Sequence, residues 1–195
     1  MASKWFKFRG KAKWARPYIP DNQFGAVRWK ITLCPTDDEV KNIKASGLNK
    51  DIKADKDGDI SLQLTRDAVK KIKGEDVFFC PPSIYDKDGK ALVEYYNKET
   101  NKRVTQFKKE EKPLIEQRGK QVLIGNGSEV ELTVVVYDAG RLKGSRLEEI
   151  KILDLVEYRQ EERESELANV EGIPFDLDPV IEIKERPAPV TNTGW

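Results

Sequence analysis

Residues 4–33, KWFKFRGKAKWARPYIPDNQFGAVRWKITL, interleave basic and aromatic side chains over two candidate strands. The first thirty residues hold eight basic side chains against Asp21 alone, a local surplus of seven charges. Successive side chains of a strand point to opposite faces, which sorts this stretch. In its first run Trp5, Lys7, Arg9, Lys11 and Lys13 share one face, and Phe6, Phe8, Ala12 and Trp14 the other. In its second run Val27, Trp29, Ile31 and Leu33 make an apolar face opposite Phe24, Ala26, Arg28, Lys30 and Thr32. Two adjacent strands of this pattern bury one side, where Trp14 and Trp29 fall, and present cations and a few rings on the other. Phosphates need such charge and unstacked bases need such rings. The plainer alternative is a half-buried hairpin whose Lys and Arg face is simply solvated.

Working outward, the whole chain of 195 residues is long enough for a real core, expected as one domain over residues 1–159 with an appended tail over 160–195. Charged residues make up 35%, a polar balance. No apolar run approaches a membrane span and no signal-peptide apolar region opens the chain, so a cytoplasmic location and no membrane partner are expected. Cys34 and Cys80 are the only cysteines and histidine is absent, which excludes Cys/His zinc sites and histidine-based triads. A disulfide between them is disfavoured in a reducing compartment. The net charge of +1 conceals a division: from Gln160 to Trp195 nine acidic residues face three basic ones, so that segment carries −6 and the remainder +7. An acidic tail on a basic body can compete with an anionic ligand.

Pro17, Pro20 and Asp21 mark the turn between the first two strands. Pro35 stops the second, and Thr36 then reads as the N-cap of a short helix, with Asp37 and Asp38 in its first turn and Glu39 completing a capping box. Asp55, Asp57, Gly58 and Asp59 look like a calcium loop, but the EF-hand frame puts Lys53 first and Leu64 last, where carboxylates are required, so a turn is expected and no metal. Ile60, Leu62 and Leu64 alternate as a strand, and Thr65 to Lys73 suggests a second short helix. Asp76 to Cys80 is a strand stopped by two prolines. Tyr85, Tyr95 and Tyr96 lie in a cationic finger with a hairpin signal at Asp88-Gly89. Arg118 and Lys120 fall in a basic turn over Gln117 to Lys120, and Lys143 and Arg146 in another over Lys143 to Arg146. The apolar run Val130 to Tyr137 is a central strand, and Leu147 to Tyr158 is the last.

Five major strands with one or two short helices form the tally of an OB-fold barrel, within a mainly β (α+β) class. The order of GKAKW (Gly10–Trp14), Phe24-Gly25 before a strand, LIGNGS (Leu123–Ser128) before an apolar strand, and KGSRLEEIKILDLVEY (Lys143–Tyr158) resembles the single-stranded-DNA-binding proteins of tailed bacteriophages. That resemblance, over residues 4–158, implies an OB-fold replication accessory holding single-stranded DNA without sequence preference. It also implies a flexible acidic C-terminal tail, often ending in an aromatic as Trp195 does, that meets replication proteins such as a polymerase or helicase. Here the acids are dispersed among Ile173, Phe175, Val180 and Ile181 rather than packed in a run.

The expected function is therefore non-catalytic strand binding in phage DNA replication and recombination, without a cofactor. Phosphate contacts are expected from Lys7, Arg9, Lys11, Lys13, Arg28, Lys30, Arg118, Lys120, Lys143 and Arg146, and base stacking from Trp5, Phe24, Tyr85, Tyr95 and Tyr96. The alternatives are a metal-dependent nuclease using Asp138, Asp154 and Glu157, which requires those carboxylates to converge, and a structural or virion β-protein.

Overall fold

The computed structural model describes residues 3–21, 27–54, 58–120, 122–139 and 142–156. It is mainly β. A nine-stranded sheet has the order β10-β8-β7-β12-β11-β1-β2-β4-β3, and a smaller sheet has the order β5-β6-β9. The strands are β1 (Ser3–Asp21), β2 (Arg28–Pro35), β3 (Ile52–Ala54), β4 (Ile60–Asp67), β5 (Val69–Ile72), β6 (Glu75–Phe79), β7 (Ser83–Tyr85), β8 (Ala91–Asn97), β9 (Gln106–Phe107), β10 (Ile115–Gly119), β11 (Glu129–Ala139) and β12 (Leu142–Asp154). Every ladder in the large sheet is antiparallel except β12 with β7. No helix among the described residues is long and apolar enough to cross a membrane.

The face assignment holds for β1 from Trp5 to Ala12 and for Ile31 and Leu33 of β2, and fails at Trp14. Phe8 and Ala12 of β1 and Ile31 and Leu33 of β2 are buried in one core with Leu62, Leu64, Leu132, Val134 and Ile150, while Trp5, Lys7, Arg9 and Lys11 lie outside. Helix α1 (Asp37–Ala45) begins where expected, with Thr36 Oγ1 accepting the Glu39 N–H at 3.4 Å. The capping box is half made. The Glu39 carboxylate instead accepts the Arg9 N–H at 3.2 Å, which ties the helix start to β1.

Three local expectations are corrected. Thr65 to Lys73 is not a helix: β4 continues to Asp67 and β5 pairs back on β6 around Lys73 and Gly74, both at positive φ (53° and 87°), the signature of a tight hairpin turn. Lys143 to Arg146 is no turn but the start of β12, paired with Asp138 to Val135 of β11. Gln117 to Gly119 likewise belongs to an edge strand, β10. In each case a partner strand recruits residues whose local signals point elsewhere.

The expected five-stranded barrel is not what the hydrogen bonding draws, because the sheets do not close. Strands β12-β11-β1-β2-β4 run consecutively, and β4 lies against β12 without a ladder between them. Arg66 of β4, 1% exposed, occupies that seam. Its guanidinium donates to the carbonyls of Cys80 (2.5 Å), Leu147 (3.1 Å) and Thr105 (2.6 Å) and to the Glu148 carboxylate. Where no ladder joins the two strands, a buried side chain bonds a carbonyl of β12 and those of Cys80 and Thr105 beside it. Burial draws the Arg66 pKa below its ordinary value, against the pull of Glu148.

Candidate nucleic-acid interface

Strand register places the outer face in rows. Trp5 of β1 stands opposite Val135 of β11, which stands opposite Arg146 of β12; Lys7 stands opposite Thr133, and Arg9 opposite Glu131 and then Lys151. Trp5 is 62% exposed, so its ring lies open beside the cations. Lys7 and Arg9 are exposed too, yet both reach one carboxylate: Lys7 Nζ lies 3.1 Å from Glu131 Oε1 and Arg9 Nε 2.7 Å from Oε2. Burial pushes the Glu131 carboxyl up, but the bonds from Arg9 and Lys7 outweigh it and hold the group below the usual carboxylate range. The trio thus presents one net positive charge, not two. Lys11 stands opposite Cys34 on β2 and is exposed.

On the next side of the roll, Arg16 of β1, Lys30 of β2 and Thr65 of β4 form another row, beside Arg28, whose Nε donates to Asp67 at 2.7 Å. Lys13 is largely covered and pairs with Asp59 at 2.8 Å. Phe24 lies outside the described residues.

Trp14, expected in the core, is 47% exposed. Its φ is 46° and the β1–β2 register slips between Lys13 and Arg16, so strand alternation breaks there and the ring turns outward, with Lys13 Nζ 5.7 Å from its centroid. The loop from Gly125 to Ser128 supports this bulge: Ala12 N–H donates to Ser128 O, Gly127 N–H to Ala12 O, and Trp14 N–H to Asn126 Oδ1, each at 2.8 Å. The two motifs GKAKW and LIGNGS, over a hundred residues apart in sequence, are thus one structural unit.

The tyrosine finger divides. Tyr95 is fully buried, because alternation along β8 sends it into the core, and it leaves the set of stacking candidates. Tyr85 and Tyr96 face outward, each under a guanidinium: Arg103 lies 5.6 Å from the Tyr85 centroid and Arg118 4.2 Å from that of Tyr96. Both hydroxyls donate to Glu94, at 2.6 and 2.9 Å, and the Tyr96 phenol is held above its ordinary pKa chiefly by that bond. With Glu94, Glu116 and Glu149 around Arg103 and Arg118, this patch attracts phosphate less than β1 does. Lys120 is exposed beyond β10. Lys143 leaves the Arg146 face altogether and places its Nζ beside Gly47 at the end of α1.

No protein-family model and no curated protein sequence matches the chain. In structure it is similar to a single-stranded DNA-binding protein from bacteriophage Enc34, in a C-terminally truncated form. The identity is 12% and the TM-score 0.41, over 80% of this chain and 88% of that one.

Residues not singled out in the sequence complete the face. Tyr137 of β11 lies against Gly144 of β12, where a Cβ would come within 2.5 Å of the ring. Lys70 of β5 donates to the Tyr137 hydroxyl at 2.9 Å, and Phe79 lies under Arg146, 4.8 Å from guanidinium to centroid. The signal in the sequence is Gly144 itself, legible only once its register with Tyr137 is known. The carboxylates that a nuclease would gather do not converge. Asp138 stands opposite Lys143 and Asp154 opposite Glu129, at the two ends of the β11–β12 ladder, and Glu157 lies outside the described residues. Nine residues of strand, about 30 Å, separate them.

Proposed function

We propose that this chain is a non-catalytic, sequence-tolerant single-stranded DNA-binding protein acting in phage DNA replication and recombination, in the host cytoplasm. The observation that carries the reading is the outer face of β1, where Trp5 lies open in step with exposed Lys7, Arg9 and Lys11 and adjoins the Arg16–Lys30 row. An open ring beside a line of cations serves a flexible strand, whose bases can leave their stack, better than a duplex, whose bases cannot. In this reading β1, β2, β4, β11 and β12 act as an OB-type barrel whose last seam is joined by Arg66 rather than by a ladder. The acidic segment from Gln160 to Trp195 meets replication proteins.

Titration of labelled single-stranded and double-stranded oligonucleotides at two salt concentrations, in magnesium and in chelator, tests it. Preference for the single strand, with affinity falling steeply as salt rises, is expected. Equal duplex affinity or a flat salt response overturns the reading, and magnesium-dependent degradation replaces it with a nuclease. Trp5→Ala is expected to weaken binding by about 1–3 kcal/mol at unchanged melting temperature.

A further inference from the structure

Between the β5–β6 hairpin and the outer face of β11 and β12 lies a groove of about 240 Å3, lined among others by Ser3, Lys70, Val135, Tyr137, Ser145 and Arg146. Its charge is unbalanced. Glu148 accepts from both Arg66 and Arg146 and is nearly sealed from solvent, so one buried carboxylate serves two guanidiniums. Lys70 adds a further cation, which donates to the Tyr137 hydroxyl. The lining carboxylate, Asp67, is already matched by Arg28 at 2.7 Å. An excess of positive charge beside a low-dielectric interior attracts an anion more strongly than the same charge on open surface. Ser3, opposite Tyr137 in the ladder, lines the same space and adds a neutral donor.

The groove is smaller than the roughly 300–1,000 Å3 of pockets that enclose a whole small-molecule ligand. It has room for a phosphate and part of its sugar. Val135 belongs both to its lining and to the row that ends at Trp5, so a strand leaving the groove meets an open ring one strand away. Resting on the single-strand reading above, and deepening it, we propose that the groove holds one internal phosphodiester of the bound strand. Lys70 and Arg146 are its counter-ions, Tyr137 is the wall against its sugar, and the adjoining base lies on Trp5.

The test is the salt dependence of single-strand affinity for the full chain and for Lys70→Ala, Lys70→Arg, Gly144→Ala and Lys7→Ala, with melting temperatures as the check on folding. Lys70→Ala is expected to lower the slope of log affinity against log salt by roughly 0.7, the loss of one neutralised phosphate, and Lys70→Arg to restore it. Gly144→Ala, which drives a methyl into the Tyr137 ring without altering charge, should weaken binding at an unchanged slope. Oligonucleotides with and without a 5′ phosphate should bind the wild type equally; tighter binding of the phosphorylated form would replace the internal linkage with a terminal one. An unchanged slope in Lys70→Ala alongside a lowered one in Lys7→Ala overturns the groove and leaves the function standing. Absence of single-strand binding by the wild type overturns the function, and the groove with it.

Discussion

The backbone N–H of Trp14 donates to Asn126 Oδ1 at 2.8 Å, across 112 residues of chain, and holds the tryptophan at a φ of 46°. A bulky residue in the left-handed region costs about 1–3 kcal/mol and persists only where its surroundings impose it. Asn126→Ala is therefore expected to destabilise the fold by about 1 kcal/mol in urea unfolding, by loss of that hydrogen bond. Trp14→Gly, which relieves the backbone, should be no less stable than wild type. A marked drop in its melting temperature would show that the ring, exposed as it is, contributes packing that outweighs the strain.

Arg66 and Glu148 make a second, sharper case. Removing one partner of a buried ion pair leaves the other charge uncompensated, at a cost of about 3–5 kcal/mol, whereas replacing both by apolar residues of similar volume is often neutral. Arg66→Met should be destabilising even though Arg146 still pairs with Glu148, because the carbonyls of Cys80 and Leu147 lose this donor while that of Thr105 keeps the Cys80 N–H at 3.0 Å. Arg66→Met with Glu148→Leu should recover only part of that loss, since the guanidinium's bonds to the carbonyls stay broken and Arg146 loses its carboxylate. Full recovery in a double-mutant cycle would assign the whole effect to charge and none to the seam.

The alternation of residues 4–13 and 27–33 was legible because strand periodicity alone decides which face a side chain takes, and the Thr36 cap because its chemistry is local. What depended on pairing was not legible. Trp14 follows the apolar parity of Phe6, Phe8 and Ala12 until a bulge breaks it, and the cause of the bulge lies at Asn126. Tyr95 and Tyr96 are neighbours in sequence and sit on opposite faces, so grouping them by composition misassigned one. Lys7 and Arg9 read as two free cations until register set Glu131 between them. Arg66 looked like the first turn of a helix, and nothing near it in sequence announces that its partners lie at positions 80, 105, 147 and 148.

The segment from Gln160 to Trp195 lies outside the described residues, and its expected role rests on charge: −6 tethered to a body of +7. A tethered anion competes for a cationic face at high effective concentration. Truncation after Tyr158 should raise single-strand affinity, most at low salt, where screening is weakest. Unchanged affinity with a lowered melting temperature would make the segment structural and rule out its competition with the strand.

Glu131 links stability to binding. Its carboxyl is held below the usual range in the folded chain, so between the native and unfolded pKa values the unfolded state binds more protons. Its contribution is therefore fully present above roughly pH 5 and is lost as pH falls through the native value. Glu131→Gln should accordingly be less stable than wild type at neutral pH, with the gap closing on acidification; a gap constant across that range would show that the ionised carboxylate is not what stabilises β1 against β11. The same change should act in the opposite direction on binding. Lys7 and Arg9, both exposed and both now without their shared carboxylate, become available to phosphates. Single-strand affinity should then rise, and the salt slope steepen by roughly 0.7 for each phosphate newly neutralised. Weaker binding by a stably folded Glu131→Gln would instead mean that Glu131 aims the two cations at the strand, and that their pairing is part of the binding geometry rather than a restraint on it.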